Sequence, residues 1–157
     1  MKGEELRFLA SRIRQELDEI QRILARVKEG WARATRSNDE YYLDGVALNL
    51  HSFYSGMERI FTQIAETIDG RVPGGENWHQ VLLQQMMDEV PRVRPAVIST
   101  ETGRRLNEFR GFRHIVRNVY AFKLDAEKME KLVLSAQDVF RQLNSELTAF
   151  IAFLERV

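Results

Sequence analysis

The residues best suited to chemistry fall together between Phe109 and Asp125, in the stretch F-R-G-F-R-H-I-V-R-N-V-Y-A-F-K-L-D. On a helix of about 100° per residue, Phe109, Phe112, Val116 and Val119 gather on one side. Arg110, Arg113, His114 and Arg117 gather on another, at the i, i+3, i+4, i+7 spacing of neighbours on a helix surface. Asn118 flanks that stripe, and Tyr120 lies between it and the apolar face. Such a set suits metal-free RNA cleavage by attack of the 2′-hydroxyl. That reaction needs one group to activate the hydroxyl, and cations to hold the phosphate as negative charge builds. Arginine binds phosphate through a planar fork and keeps its charge, while histidine titrates near neutrality. The competing reading is a solvated basic face that pairs with carboxylates on a neighbouring helix. On the residues alone both readings stand.

Other chemistries find less support. The histidines His51, His79 and His114 fall on different expected helices, without a Glu-x-x-His or His-Glu-x-x-His pair, so neither a metal nor another cofactor is expected. Pro73-Gly74-Gly75 lacks the Lys-Ser/Thr of a phosphate-cradling loop. No nucleophile elbow for serine hydrolysis is present. His79, beside Trp78, reads as a helix-surface residue rather than a base. His51, Tyr54, Ser55 and Glu58 share one helix face, which reads as a polar face or as helix–helix hydrogen bonding.

Composition narrows the class further. Among 157 residues, 23 Lys and Arg balance 23 Asp and Glu, so any pull on nucleic acid must come from a local patch. The absence of cysteine excludes disulfides and thiolate chemistry, and it fits a reducing compartment. The opening M-K-G-E-E-L-R-F carries no apolar leader, and no apolar run approaches about 18 residues. A soluble, cytoplasmic protein with one domain over residues 1–157 is the expectation.

Helices must position the stripe. From Leu6 to Trp31, apolar residues recur at Leu6, Ile13, Ile20, Val27 and at Ala10, Leu17, Leu24, Trp31, a seven-residue repeat. Ser37 and Glu40 form a capping-box pattern for a second helix, which runs to about Asp69 and ends at Gly70. Its stripe is Leu43, Val46, Leu50, Phe53, Met57, Ile60, Ile64 and Ile68. A loop at 71–75 precedes a short helix over about Asn77 to Asp88, carrying Trp78, Val81, Leu82 and Met86. Pro91 and Pro95 break regular structure around Arg92 and Arg94. Ser99 caps the central helix, which is expected to reach about Ala121. After Leu124, Asp125 caps a last helix to about Arg156, with Met129, Leu132, Ala136, Phe140, Leu143, Leu147, Phe150 and Leu154 inward. The expected fold is all-α, an antiparallel bundle of four long helices plus one short helix.

The stretch F-R-H-I-V-R-N-V-Y-A-F-K-L-D follows S-F-Y-S-G-M-E-R-I-F-T-Q-I-A-E-T-I-D-G and G-E-N-W-H-Q-V-L-L-Q-Q-M in a fixed order. Together these segments resemble the HepT-like branch of the HEPN proteins, over roughly Tyr42 to Leu154. The resemblance implies a HEPN-like bundle that forms a homodimer and sets two motif helices across a cleft. It also implies an RNA-cleaving toxin, paired with a small MNT-type nucleotidyltransferase antitoxin.

The family's catalytic pattern is Arg, a polar residue, a few more residues, His, any residue, Tyr. Laid on this chain it takes Arg113, His114, Asn118 and Tyr120. The sequence departs at Asn118, where the pattern has His. Asparagine orients a hydroxyl or a phosphate but is no general base at neutral pH. His114, one helical turn earlier, is the imidazole that can substitute. Pairing Arg110 with His114 leaves three intervening residues, where the family has four to six. Within the resemblance, Arg113, His114 and Asn118 are the catalytic set, and Arg110 and Arg117 hold RNA phosphate. Tyr120 is the acceptor to which the partner transfers AMP. The alternatives are a non-catalytic HepT-like subunit that binds RNA, nucleotide or the nucleotidyltransferase, and a purely structural helical adaptor.

Overall fold

A computed structural model describes residues 3–118 and 126–157, and the side chains of 3–112 and 126–157. Its helices are α1 (Gly3–Ser37), α2 (Tyr41–Ile64), α3 (Trp78–Met87), α4 (Thr100–Asn118) and α5 (Ala126–Arg156). The all-α bundle expected from periodicity is what the chain forms, with no strand among the described residues beyond an isolated bridge between Val90 and Arg94. None of the described helices is long and apolar enough to cross a membrane.

The seven-residue repeat of α1 buries as expected, and Leu9 and Ala34 widen the seam while Trp31 stays half-exposed. α1 and α2 pack antiparallel. Arg59 of α2 reaches Glu16 of α1 at 3.2 Å, and Gly56 lies against Ile20 so closely that a Cβ would sit 2.8 Å from Ile20 Cγ1. Arg105 of α4 bonds Asp138 and Gln142 of α5, and Ser99 bonds Glu146, so these two helices also run antiparallel. Around the ring α1, α2, α4 and α5, each long helix touches the next, and one continuous apolar core fills the centre.

The expected capping box at Ser37 does not form. Ser37 closes α1 instead, its Oγ donating to the Arg33 carbonyl at 2.6 Å, and Asn38 turns left-handed with φ 56°. Asp39 then takes the capping task, its Oδ1 accepting the Tyr41 N–H at 3.0 Å. A serine at the end of a long helix can bond back one turn, and here that option displaces the forward cap. The end of α2 lies at the expected place but winds differently. Residues Ala65–Asp69 form a π-helical turn, closed by Gly70 at φ 70°, which glycine adopts without a Cβ penalty. Val81 was expected inward on α3 but is 48% exposed, and Leu83 is buried in its place.

Ser99 caps α4 as expected, its Oγ accepting the Thr102 N–H at 3.1 Å. Glu146 of α5 completes the cap by accepting from the Ser99 N–H (2.7 Å), the Ser99 hydroxyl (2.9 Å) and the Thr102 hydroxyl (2.8 Å). A carboxylate at a helix N-terminus satisfies orphan donors and complements the helix dipole. Glu146→Gln should lower unfolding free energy by about 1–2 kcal/mol, because it removes charge-assisted bonds at a part-buried end. Urea denaturation of the two proteins at neutral pH checks this, and equal midpoints would refute it.

Candidate functional site

Helix α4 carries the Arg/His stripe, and its rotation is set by packing. Leu106, Phe109 and Phe112 are buried. Phe109 meets Phe53 of α2 edge-to-face, with centroids 5.2 Å apart and planes at 61°. Aromatic pairs of this geometry add about 0.5–1.5 kcal/mol beyond area burial. With that face inward, Arg110 is left half-exposed. α4 begins beside α3, where Met86 accepts from the Val97 and Ile98 N–H groups, and α3 in turn touches the end of α2 through Gln85 and Asp69. From there α4 runs back along α2, so its later turns advance toward the α1–α2 connection.

Arg105, near the start of α4 and off the Arg/His stripe, pairs across to Asp138 at 2.8 Å. Arg110 behaves differently. Its Nε donates to the neutral amide oxygen of Asn107 at 2.7 Å, and among the described residues no carboxylate neutralises it. The helical backbone of α4 continues through Asn118, so Arg113, His114, Arg117 and Asn118 keep the helical register assumed for them. Their side chains, together with Tyr120, Val119, the expected end near Ala121 and the Asp125 cap, lie outside the described residues.

Facing α3, the polar side of α2 holds a pair that sequence reasoning valued wrongly. His79 is not a surface residue. Its Nδ1 donates to Glu58 Oε2 at 2.6 Å, with the two side chains 19% and 7% exposed, and the Trp78 ring lies against the imidazole at 3.5 Å between centroids. A carboxylate this buried needs a partner, and the packing of α3 against α2 brings the histidine inward to supply one. The expectation of helix–helix hydrogen bonding from this face of α2 therefore holds at Glu58.

A second buried network went unnoticed in the sequence. Arg94, with its side chain fully buried, bonds Asp69 Oδ1 at 2.6 Å and Oδ2 at 2.8 Å. It also donates to the carbonyls of Asp88, Pro95 and Gln85. Burial pushes the Asp69 carboxyl up, but the bonds from Arg94 and Gln85 and the nearby guanidinium charges outweigh it and hold the group below 3.8. An arginine between two prolines was the only sequence signal, and it names no partner. Among the described residues, no group of three His, Cys, Asp or Glu side chains is arranged to hold a metal.

A family model described as HepT-like protein matches residues 45–154, from the first turns of α2 almost to the end of α5. No curated protein and no solved structure matches the chain.

Proposed function

The chain belongs to the HepT-like protein family, and from that premise we propose that it is the toxin of a HepT/MNT-type toxin–antitoxin pair, a metal-independent endoribonuclease. The observation that carries this reading is the Arg/His register of α4, with Arg110 unneutralised by any carboxylate among the described residues. In the reaction, Arg113 with Arg110 and Arg117 holds the scissile phosphate and meets the charge that grows on its oxygens. His114 takes the 2′-hydroxyl proton, and Asn118 orients that hydroxyl by hydrogen bonding. The 2′-oxygen forms a bond to phosphorus as the bond to the 5′-oxygen breaks, and the leaving oxygen takes a proton from solvent water. A 2′,3′-cyclic phosphate and a 5′-hydroxyl end result. A homodimer sets two such helices across one cleft. An MNT-type nucleotidyltransferase partner silences the site by adding AMP to Tyr120, which places an anion beside the arginines.

The test is incubation of purified protein with total tRNA and mRNA in excess chelator. Cleavage to cyclic-phosphate ends is expected. Intact RNA after prolonged incubation would sink the ribonuclease reading in favour of a second one, for which the asparagine at position 118 speaks. In that reading the protein is a non-catalytic subunit, and Tyr120 still accepts AMP from the partner.

A further inference from the structure

At the α1–α2 end of the bundle, toward which α4 advances, a groove of about 450 Å³ opens between the two helices. Arg26, Glu29 and Arg33 line it from α1, and Tyr41, Tyr42 and Asn49 from α2. Two glycines floor it. Gly45 has open space where a Cβ would stand, and Gly30 lets Val46 approach to 3.0 Å of its own Cβ position. Tyr41 is 83% exposed, which leaves most of its ring open to solvent. The tyrosines and both arginines lie outside the residues that the family model matches.

We propose that this groove is an accessory subsite for single-stranded RNA, holding one base and its phosphate on the way to the α4 stripe; the proposal rests on the ribonuclease reading for its biological sense. An exposed aromatic ring gives a base a stacking face whatever its identity. Guanidiniums beside the ring match the phosphate that follows each base. Arg26 has no ion-pair partner among the described residues, and Arg33 pairs with Glu29 of its own helix at 2.8 Å, both of these side chains being more than half exposed, and also interacts with Tyr42 across the groove. An exposed pair of this kind is weak and is readily exchanged for a phosphate. With two arginines against the single carboxylate of Glu29, the groove keeps one net positive charge within a chain whose total charge is zero. That charge favours RNA over a protein partner, for which an apolar centre would be the stronger mark.

The experiment measures binding apart from cleavage, by fluorescence anisotropy of a fluorescein-labelled 12-nucleotide oligouridine with the full-length protein. Tyr41→Ala should weaken binding about tenfold, as loss of one stacked base does. Arg26→Ala should also flatten the salt dependence by roughly 0.7 in slope, the value for one phosphate contact on a single strand. Gly45→Leu fills the groove without removing any ligand-binding group, and it should weaken binding by a similar factor. Equal affinity for the wild type, Tyr41→Ala and Gly45→Leu would overturn the subsite while leaving the ribonuclease reading intact. Equal affinity with a loss of dimer in Tyr41→Ala would reassign the groove to a protein interface. A wild type that neither binds nor cleaves RNA would overturn both readings.

Discussion

Arg113→Ala should lower RNA cleavage by about 10²–10³-fold, the usual cost of removing one preorganised charge from a phosphate transition state. His114→Ala should fall by a comparable factor, since no other imidazole belongs to the stripe and Asn118 cannot take a proton. The two losses differ in how they respond to repair. Arg113→Lys keeps the charge but not the planar fork, so only part of the activity returns. Asn118→His restores the pattern residue, and it should rescue His114→Ala. Initial rates on a defined RNA, with the helical circular dichroism of each variant matched to wild type, provide the measurement. Wild-type rates in both alanine variants would mean that cleavage comes from elsewhere.

Arg94→Ala should cost about 3–5 kcal/mol of stability, because it strands a carboxylate in the interior. The Asp69 side chain is 1% exposed, and after the substitution only the Gln85 amide, at 2.7 Å, would still donate to it among the described residues. The carbonyls of Asp88 and Pro95 would lose this donor as well, while that of Gln85 keeps the Asp88 N–H at 3.3 Å. In a chain of this size the loss corresponds to a melting point lower by roughly 10 °C, which calorimetry resolves. A change under about 2 °C would show the network to be dispensable. The pH dependence has a definite sign. The folded-state pKa of Asp69 is depressed below 3.8, so its contribution is complete above that value. It drains away as pH falls from that value through the lower folded one, so wild type should lose stability over that window. Arg94→Ala should have little of this dependence left.

Much of the fold could be read directly from residue spacing. Every apolar residue assigned to the last helix is buried, and so is the stripe of α2 apart from its half-buried first member, Leu43. Period and burial are the same fact there, since a core-facing helix needs an apolar residue at each turn. What failed was the choice between local hydrogen bonds of nearly equal energy. Ser37 could cap forward or bond backward, and only the left-handed turn at Asn38 decides between them. The buried polar pairs were equally opaque. Nothing near Glu58 indicates that His79, 21 residues away, will meet it, because that contact depends on where α3 docks. For the site, the sequence supplied residue types and register, and the structure adds that no carboxylate among the described residues neutralises Arg110.

The clamp at Arg94 bears on how this chain can drift over evolutionary time. Loss of Asp69 leaves a guanidinium that still has three carbonyl acceptors around it, whereas loss of Arg94 removes the donor of the Asp88 and Pro95 carbonyls and the counter-charge of a buried carboxylate together. The two positions are therefore unequal partners in a lineage. Substitution at 69 can come first and be tolerated for a while, but substitution at 94 requires the segment 88–95 to be rebuilt at the same time. Descendants should keep the arginine longer than the aspartate, although neither residue takes any part in the chemistry proposed for α4.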